Sequence, residues 1–563
     1  MKPRSPSLGL RTLLALGLMI GFYGLSIGVA VVLVWLPYAE VTYVHRIHPK
    51  LALGCLAGAG IILWSIMPRR DRFQAPGPRL LPAKHPKLFA VIRGVASATK
   101  QAPPDEVYLV SDVNAWVGQR GGVVGAGGHR VMGLGLPLLQ TLTVSELRAV
   151  LAHEFGHYHG GDTKLGRFVY QTRAAIGRTL GNLGAHGSIL QLPFLWYGRL
   201  FLRVSHAVSR RQELAADQLA AEVAGARPLA EGLKKIHTMA PAFGYYWSNE
   251  VIPVLRAGFV PPLGTGFQRF VSGEIGQKAL TAARERSTTE AGDVFDTHPP
   301  LRERLQALDG LAPGATPADD HLAILLLTDS QKLEPALIAA LAPADAKRMA
   351  PITWSEVGER VYQPRWREEA ARAAAHVGAL TVGSLAERAS GLSEALGTKL
   401  LADGEAAPSE LRLLRGNFAL GAALAVALSR AGWATEAPPG EPVLLKGTAG
   451  SLDPFAAVQA LVKGEIGPEA WAAQCTRLGI ADIEMLAVAP PAAPSRPGAP
   501  AQTAEETGVP VQISAPAPVA AVPDTRPRTI RCWRCKEPVE LPAESGGERP
   551  RCEKCGTAQW VPV

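Results

Sequence analysis

Apolar residues gather first into two uncharged runs near the start of the chain and after that into short periodic patterns. From Thr12 to Ala39 there is no charged side chain, a stretch long enough to cross about 30 Å of hydrocarbon with some tilt. A second uncharged run, Leu51 to Pro68, carries Trp64 near its end and stops at Arg69, Arg70 and Arg72, as a span does at a membrane boundary. Together they predict a transmembrane helical hairpin over residues 1–75, with spans at about 12–37 and 51–68. A third apolar stretch, Ser188 to Val208, is interrupted by Arg199 and Arg203. It predicts a buried helix or one lying on the bilayer surface rather than a crossing.

Past the hairpin the periods shorten. Val107 to Val110 and Val131 to Leu134 have strand character, with a glycine-rich stretch from Gly118 to Gly128 between them, which predicts a β-hairpin with an exposed edge able to pair with an extended peptide. Leu147, Val150, Leu151, Glu154 and His157 recur at helical spacing behind Thr143 and Ser145, either of which can cap a helix. Residues 311–487 are rich in Ala, Leu, Glu and Arg, with breaks at Pro343, Pro351, Pro408 and Pro438, and predict a helical domain in which Phe418 to Leu428 is buried. Residues 488–528 are dominated by Pro, Ala and small polar residues and predict a disordered linker, with a separate module at 529–563. The expected fold class is mainly α with a small β-sheet.

With 563 residues the chain is long enough for several domains. A net charge of +9 without long basic runs suits an anionic membrane surface better than nucleic acid. Lys2, Arg4 and Arg11 precede the first span and the Arg69 cluster follows the second, while the connecting loop holds only Arg46 and Lys50. This bias predicts a multi-pass protein of the cell (inner) membrane with both ends, and all that follows, in the cytoplasm. Six cysteines, four of them in the last 32 residues, suggest no general disulfide framework.

The chemistry lies in His153-Glu154-Phe155-Gly156-His157. An H-E-x-x-H on a helix sets two imidazoles one turn apart on one face with a carboxylate beside them, half of a zinc protease site. Downstream, Glu213 and Asp217 are one turn apart in a run that reads as a helix. Glu213 offers a third ligand and Asp217 a partner that orients a ligand imidazole, although E-x-x-x-D on an alanine-rich helix is, alone, an ordinary solvated face. Cys532, Cys535, Cys552 and Cys555 have the spacing of a four-cysteine zinc ribbon, so a second, structural Zn2+ is expected there. The glycines lack a G-x-x-x-x-G-K pattern, which argues against a nucleotide.

With these residues in view, the chain resembles the membrane-associated gluzincin peptidases that include the bacterial protease HtpX and the CAAX prenyl proteases. The resemblance is carried by the H-E-x-x-H and E-x-x-x-D segments, by Asn114-Ala115-Trp116-Val117, by Val131-Met132-Gly133-Leu134-Gly135-Leu136, and by Thr297-His298-Pro299-Pro300 leading to Arg304. It implies a zincin-type domain over 76–310 with His153, His157 and Glu213 on a catalytic zinc and Glu154 as general base. His298 would be an oxyanion donor, Asn114, Ala115 and Arg304 would contact substrate, and Asp162 would join Asp217 behind the ligands. The expected function is a membrane-anchored zinc endopeptidase acting on membrane proteins in quality control. The alternatives are CAAX-type processing of prenylated proteins and a non-catalytic zinc-binding scaffold.

Overall fold

The computed structural model describes residues 8–46, 48–67, 73–120, 129–157, 163–184, 190–289, 299–314, 320–341, 349–377, 380–400, 409–485, 528–531 and 538–541. The architecture is mostly helical with small sheets. Helices α1 (Leu8–Ala39) and α2 (Pro49–Ile66) pack against each other. Both are long and apolar enough to cross a membrane. Much of the apolar surface of this pair faces outward, including Ile20, Ile27 and Val31 of the first helix and Leu53 and Leu56 of the second.

A four-stranded sheet follows, formed by β1 (Arg79–Leu80), β2 (Glu106–Val110), β3 (Ala115–Arg120) and β4 (His129–Gly135) in the order β1-β2-β4-β3, with α3 (Pro86–Ala98) between the first two strands in sequence. The hairpin expected between 107–110 and 131–134 is not formed. Those two strands lie side by side in parallel, Val107 opposite Met132 and Leu109 opposite Leu134. The antiparallel partner of β4 is β3, with Ala115 opposite Leu134 and Trp116 opposite Gly133. Gly133 permits this register, because a Cβ there would stand 2.4 Å from the Trp116 indole. β3 is therefore one of the two edge strands of the sheet.

The chain continues through α4 (Leu136–Thr141), α5 (Val144–Gly156), α6 (Thr163–Gly184), α7 (Gln191–Ala224), α8 (Ala226–Tyr246), α9 (Ile252–Arg256), α10 (Leu263–Ser272), α11 (Glu274–Thr289) and α12 (Leu301–Leu308). One hydrophobic core joins the sheet to α5 and α8 and extends past residue 310, the expected limit of this region, to Trp354 and Val361. The extension is physical: Asp320 accepts a hydrogen bond from the Ser145 backbone at 2.9 Å, and Thr143 bridges Leu322. A second core gathers helices Gln363–Val377, Leu385–Leu400, Pro454–Val462 and Pro468–Leu478 with helix Ser409–Arg430, and a three-stranded sheet adds Leu445 and Leu452. Helix Ser409–Arg430 matches a membrane span in length and composition, yet its apolar run from Ala419 to Leu428 is buried in protein. A third cluster unites α1, α2, α6 and the first half of α7.

Residues 507–563 make a compact unit of their own. Within it the strands Arg528–Arg531 and Pro538–Leu541 pair antiparallel, with Ile530 opposite Val539. Cys532, Cys535, Cys552 and Cys555 lie outside the described residues, as do the linker to residue 527, Asp162, His298 and the Arg69 cluster.

Candidate metal centre

The site is built on α5 and α7. Thr143 caps α5 through a reciprocal pair of bonds: the Glu146 backbone N–H donates to Thr143 Oγ1 at 3.3 Å and the Thr143 N–H donates to Glu146 Oε2 at 2.9 Å. Lys235 of α8 reaches the same Oε2 at 2.8 Å, which ties the capped end to the domain. The other end of α5 carries His153 and Glu154 in its last turn and His157 at its C-cap. Gly156 lets α7 come close, since a Cβ there would stand 3.0 Å from both Cα and Cβ of Ala216. Ala216 lies between Glu213 and Asp217 in sequence, so this approach delivers both carboxylates to the histidines.

The three expected ligands converge. Nε2 of His153 and Nε2 of His157 are 3.2 Å apart, and the Glu213 carboxylate spans them, with Oε2 3.5 Å from the first and Oε1 3.6 Å from the second. Ligands held at about 2.0–2.1 Å in a tetrahedron stand roughly 3.3–3.4 Å from one another, so the two imidazoles, and each of them with its nearer Glu213 oxygen, are spaced close to the edge of a zinc tetrahedron. Two imidazole lone pairs and a carboxylate at this spacing repel unless a cation or proton lies among them. The donor set therefore fits Zn2+. The Glu154 carboxylate also comes within 4.8 Å of both histidine donors, so proximity alone offers two acids. Glu213 is buried and closes the triangle, while Glu154 is only half-buried, the disposition of a group left to handle protons.

Behind the triangle, His153 Nδ1 donates to Asp217 Oδ1 at 2.9 Å. This fixes the tautomer and turns the lone pair of Nε2 toward Glu213 and His157. Arg304 of α12 then clamps Asp217 with Nε to Oδ2 at 2.8 Å and Nη2 to Oδ1 at 2.6 Å. Its Nη2 is 3.3 Å from His153 Nδ1, a close approach of two donors sharing one carboxylate oxygen. Arg304, expected to contact substrate, is in fact 4% exposed and faces the ligand set from behind. Asn114 is exposed and Ala115 buried at the start of β3, which packs on α5.

Burial disfavours charge on His153, but Asp217 and Glu213 outweigh it and push the imidazole up to about 9 in the metal-free protein. Burial likewise raises the Asp217 carboxyl, and the Arg304 guanidinium and His153 more than reverse this, so its pKa is lowered. A raised histidine pKa stabilises the folded apo state fully below the ordinary value of 6.5, and that contribution fades as pH rises through about 9. Metal must displace this proton. Zinc uptake by this centre at pH 7 is expected to release about one proton, read by titration calorimetry on the chain truncated before Thr529 in buffers of different ionisation enthalpy. Heat independent of the buffer would contradict it.

Residues 82–312 match the family model for Peptidase family M48. A protein named Protease HtpX from Mannheimia succiniciproducens is 24% identical over 284 residues, 46% of this chain and 87% of that protein. A Protease HtpX homolog from Sulfurihydrogenibium sp. is 26% identical over 203 residues, 33% of this chain and 61% of that one. Another from Aeropyrum pernix is 31% identical over 196 residues, 31% of this chain and 60% of its own length. No solved structure matches the chain. Over residues 82–312 the chain is thus similar to the HtpX-like metallopeptidases of Peptidase family M48.

Proposed function

We propose that the protein is a membrane-anchored zinc-dependent endopeptidase that cuts membrane proteins as part of their quality control, with its catalytic region and C-terminus in the cytoplasm. The observation that carries this reading is the triangle of His153, His157 and Glu213 at zinc-tetrahedral spacing with Glu154 beside it. When bound there, zinc supplies Lewis acidity, making water more acidic and a peptide carbonyl more electrophilic. Glu154 takes the proton of the attacking water and hands it to the leaving amine. The edge strand β3, beginning at Asn114 and Ala115 against α5, offers main-chain partners to an extended peptide, which suits an enzyme tolerant of sequence. His298 is assigned to steady the oxyanion and Asp162 to support the ligands.

The C-terminal cysteines Cys532, Cys535, Cys552 and Cys555 hold a second, structural zinc in this reading, since a segment of that size has little core of its own. The test is to load the full chain in detergent, strip it with chelator, and follow cleavage of a denatured protein. Activity should vanish on stripping and return with zinc. Metal content is expected to be about two per chain and about one after truncation before Thr529, with basal cleavage retained. A truncated chain holding no zinc, or a stripped chain that still cuts, would refute the assignment.

A further inference from the structure

Helix α7 runs for 34 residues without a break and works at two levels. Its second half delivers Glu213 and Asp217 to the metal centre. Its first half belongs to the α1–α2 pair: Phe194 and Phe201 are fully buried, Phe194 meets Phe22 edge-on at 6.4 Å, and Tyr197 donates to the Leu18 carbonyl at 2.6 Å. Leu190, just before α7, lies against Gly58 in the middle of α2. The α6–α7 pair therefore reaches the mid-level of the second apolar helix and turns back.

The opposite face of α7 stays largely open among the described residues. Leu192, Trp196 and Leu200 are spaced one turn apart and are 44%, 69% and 49% exposed. Arg199 and Arg203 are exposed on the same side of the helix, and Arg210 follows. Along this face Leu192 and Trp196 come first, Arg199 and Leu200 share the next turn, and Arg203 and Arg210 follow, a change from apolar to basic that matches the passage from hydrocarbon to phosphate headgroups. The first half of α7 packs in one cluster with α1 and α2, helices long and apolar enough to span that also carry exposed apolar side chains. The neighbouring helix gives a second, independent mark: Tyr197 sits at Leu18, near the start of the apolar window of α1 and shortly after Arg11. The polar boundary thus falls at about the same level on both helices.

We propose that α6 and α7 form a hairpin half-inserted in the bilayer, and that the unbroken α7 holds the metal centre at a fixed height above the headgroups. From Arg203 to Glu213 is ten residues, or about 15 Å along the helix axis, an upper limit reached when α7 stands along the membrane normal. An extended chain covers that distance in about five residues. Resting on the peptidase reading above, the substrates are segments of integral membrane proteins immediately next to a span, chosen by distance from the bilayer more than by sequence.

Two arms test this with the full chain in vesicles of phosphatidylethanolamine and phosphatidylglycerol. In the first, benzoylphenylalanine replaces Trp196, Leu200 or Arg210 and is photoactivated. Crosslinks to lipid at 196 and 200 but not at 210 are expected; equal absence at all three overturns the inserted hairpin, whether or not the protein cuts anything. In the second, single-span reporters carry one unstructured segment shifted outward by inserted residues, and cut sites are mapped by mass spectrometry. Cuts should stay within roughly ten residues of the span as the sequence slides past. Cuts that travel with the sequence overturn the height reading. The double variant R199E/R203E should cleave a soluble denatured protein normally and the membrane reporter at least ten-fold more slowly; equal loss on both would show a folding defect instead of lost lipid contact and so remove that support. If neither reporter nor soluble protein is cut by the unaltered enzyme, the peptidase reading itself fails, while the crosslinks still judge the hairpin.

Discussion

Glu154→Gln is expected to slow hydrolysis of a denatured protein by about 10²–10⁴-fold while leaving the catalytic zinc in place. Glutamine keeps the shape and hydrogen-bonding reach of the side chain but cannot accept and return a proton at neutral pH. The effect on metal should be small, because the carboxylate that closes the triangle with Nε2 of His153 and His157 belongs to Glu213. Glu213→Gln is the contrasting variant, expected to lose zinc and activity together. Metal analysis beside turnover separates the two acids, both of which lie close to the histidines. If Glu154→Gln sheds its zinc and Glu213→Gln keeps it, the roles are reversed. If Glu154→Gln cuts at the normal rate, another group serves as base.

The metal centre was legible because its parts are local. Helical period places His153 and His157 on one face, and the same period places Asp217 one turn after Glu213. What brings α5 to α7 is an absence, the missing side chain of Gly156 against Ala216, and an absence has no periodic signature. Strand order failed for a related reason. Two apolar runs read as neighbours in a hairpin are parallel neighbours instead, because Ala115 to Arg120 is itself a strand and takes the antiparallel place on β4. That strand could have been found from the alternation of Ala115, Val117 and Gln119 with bulkier Trp116, but the glycine-rich sequence from Gly118 onward hid it. Helix α6 carries polar residues that suppress a membrane signal, and only its packing shows where two of them go: Arg178 donates to the Ser65 carbonyl at 3.1 Å and Asn182 to Ser65 Oγ at 2.9 Å. Arg304 was recognised by position in a motif, which fixes its identity but not its direction.

That direction makes Arg304 the most informative residue to remove. Arg304→Ala leaves Asp217 buried with its main counter-charge gone, a change that typically costs about 3–5 kcal/mol, and it loosens the hold on His153, for which loss of an outer partner typically costs 10–100-fold in metal affinity. Both effects should appear without substrate: a lower unfolding midpoint of the apo protein and a weaker zinc titration. A residue that gripped substrate would instead raise KM with stability and zinc affinity unchanged. Arg304→Lys should restore little, because a single ammonium cannot reproduce the fork that now spans Oδ1 and Oδ2 of Asp217. The double variant Asp217→Asn with Arg304→Met divides the two contributions. Removing both charges takes away the unpaired ion, so much of the stability should return, yet the asparagine oxygen accepts from His153 Nδ1 more weakly than a carboxylate, so zinc affinity should stay low. Recovery of affinity along with stability would mean that the pair serves only the fold. Recovery of stability alone would place the Asp217 charge in service of the metal, through an imidazole it never lets turn.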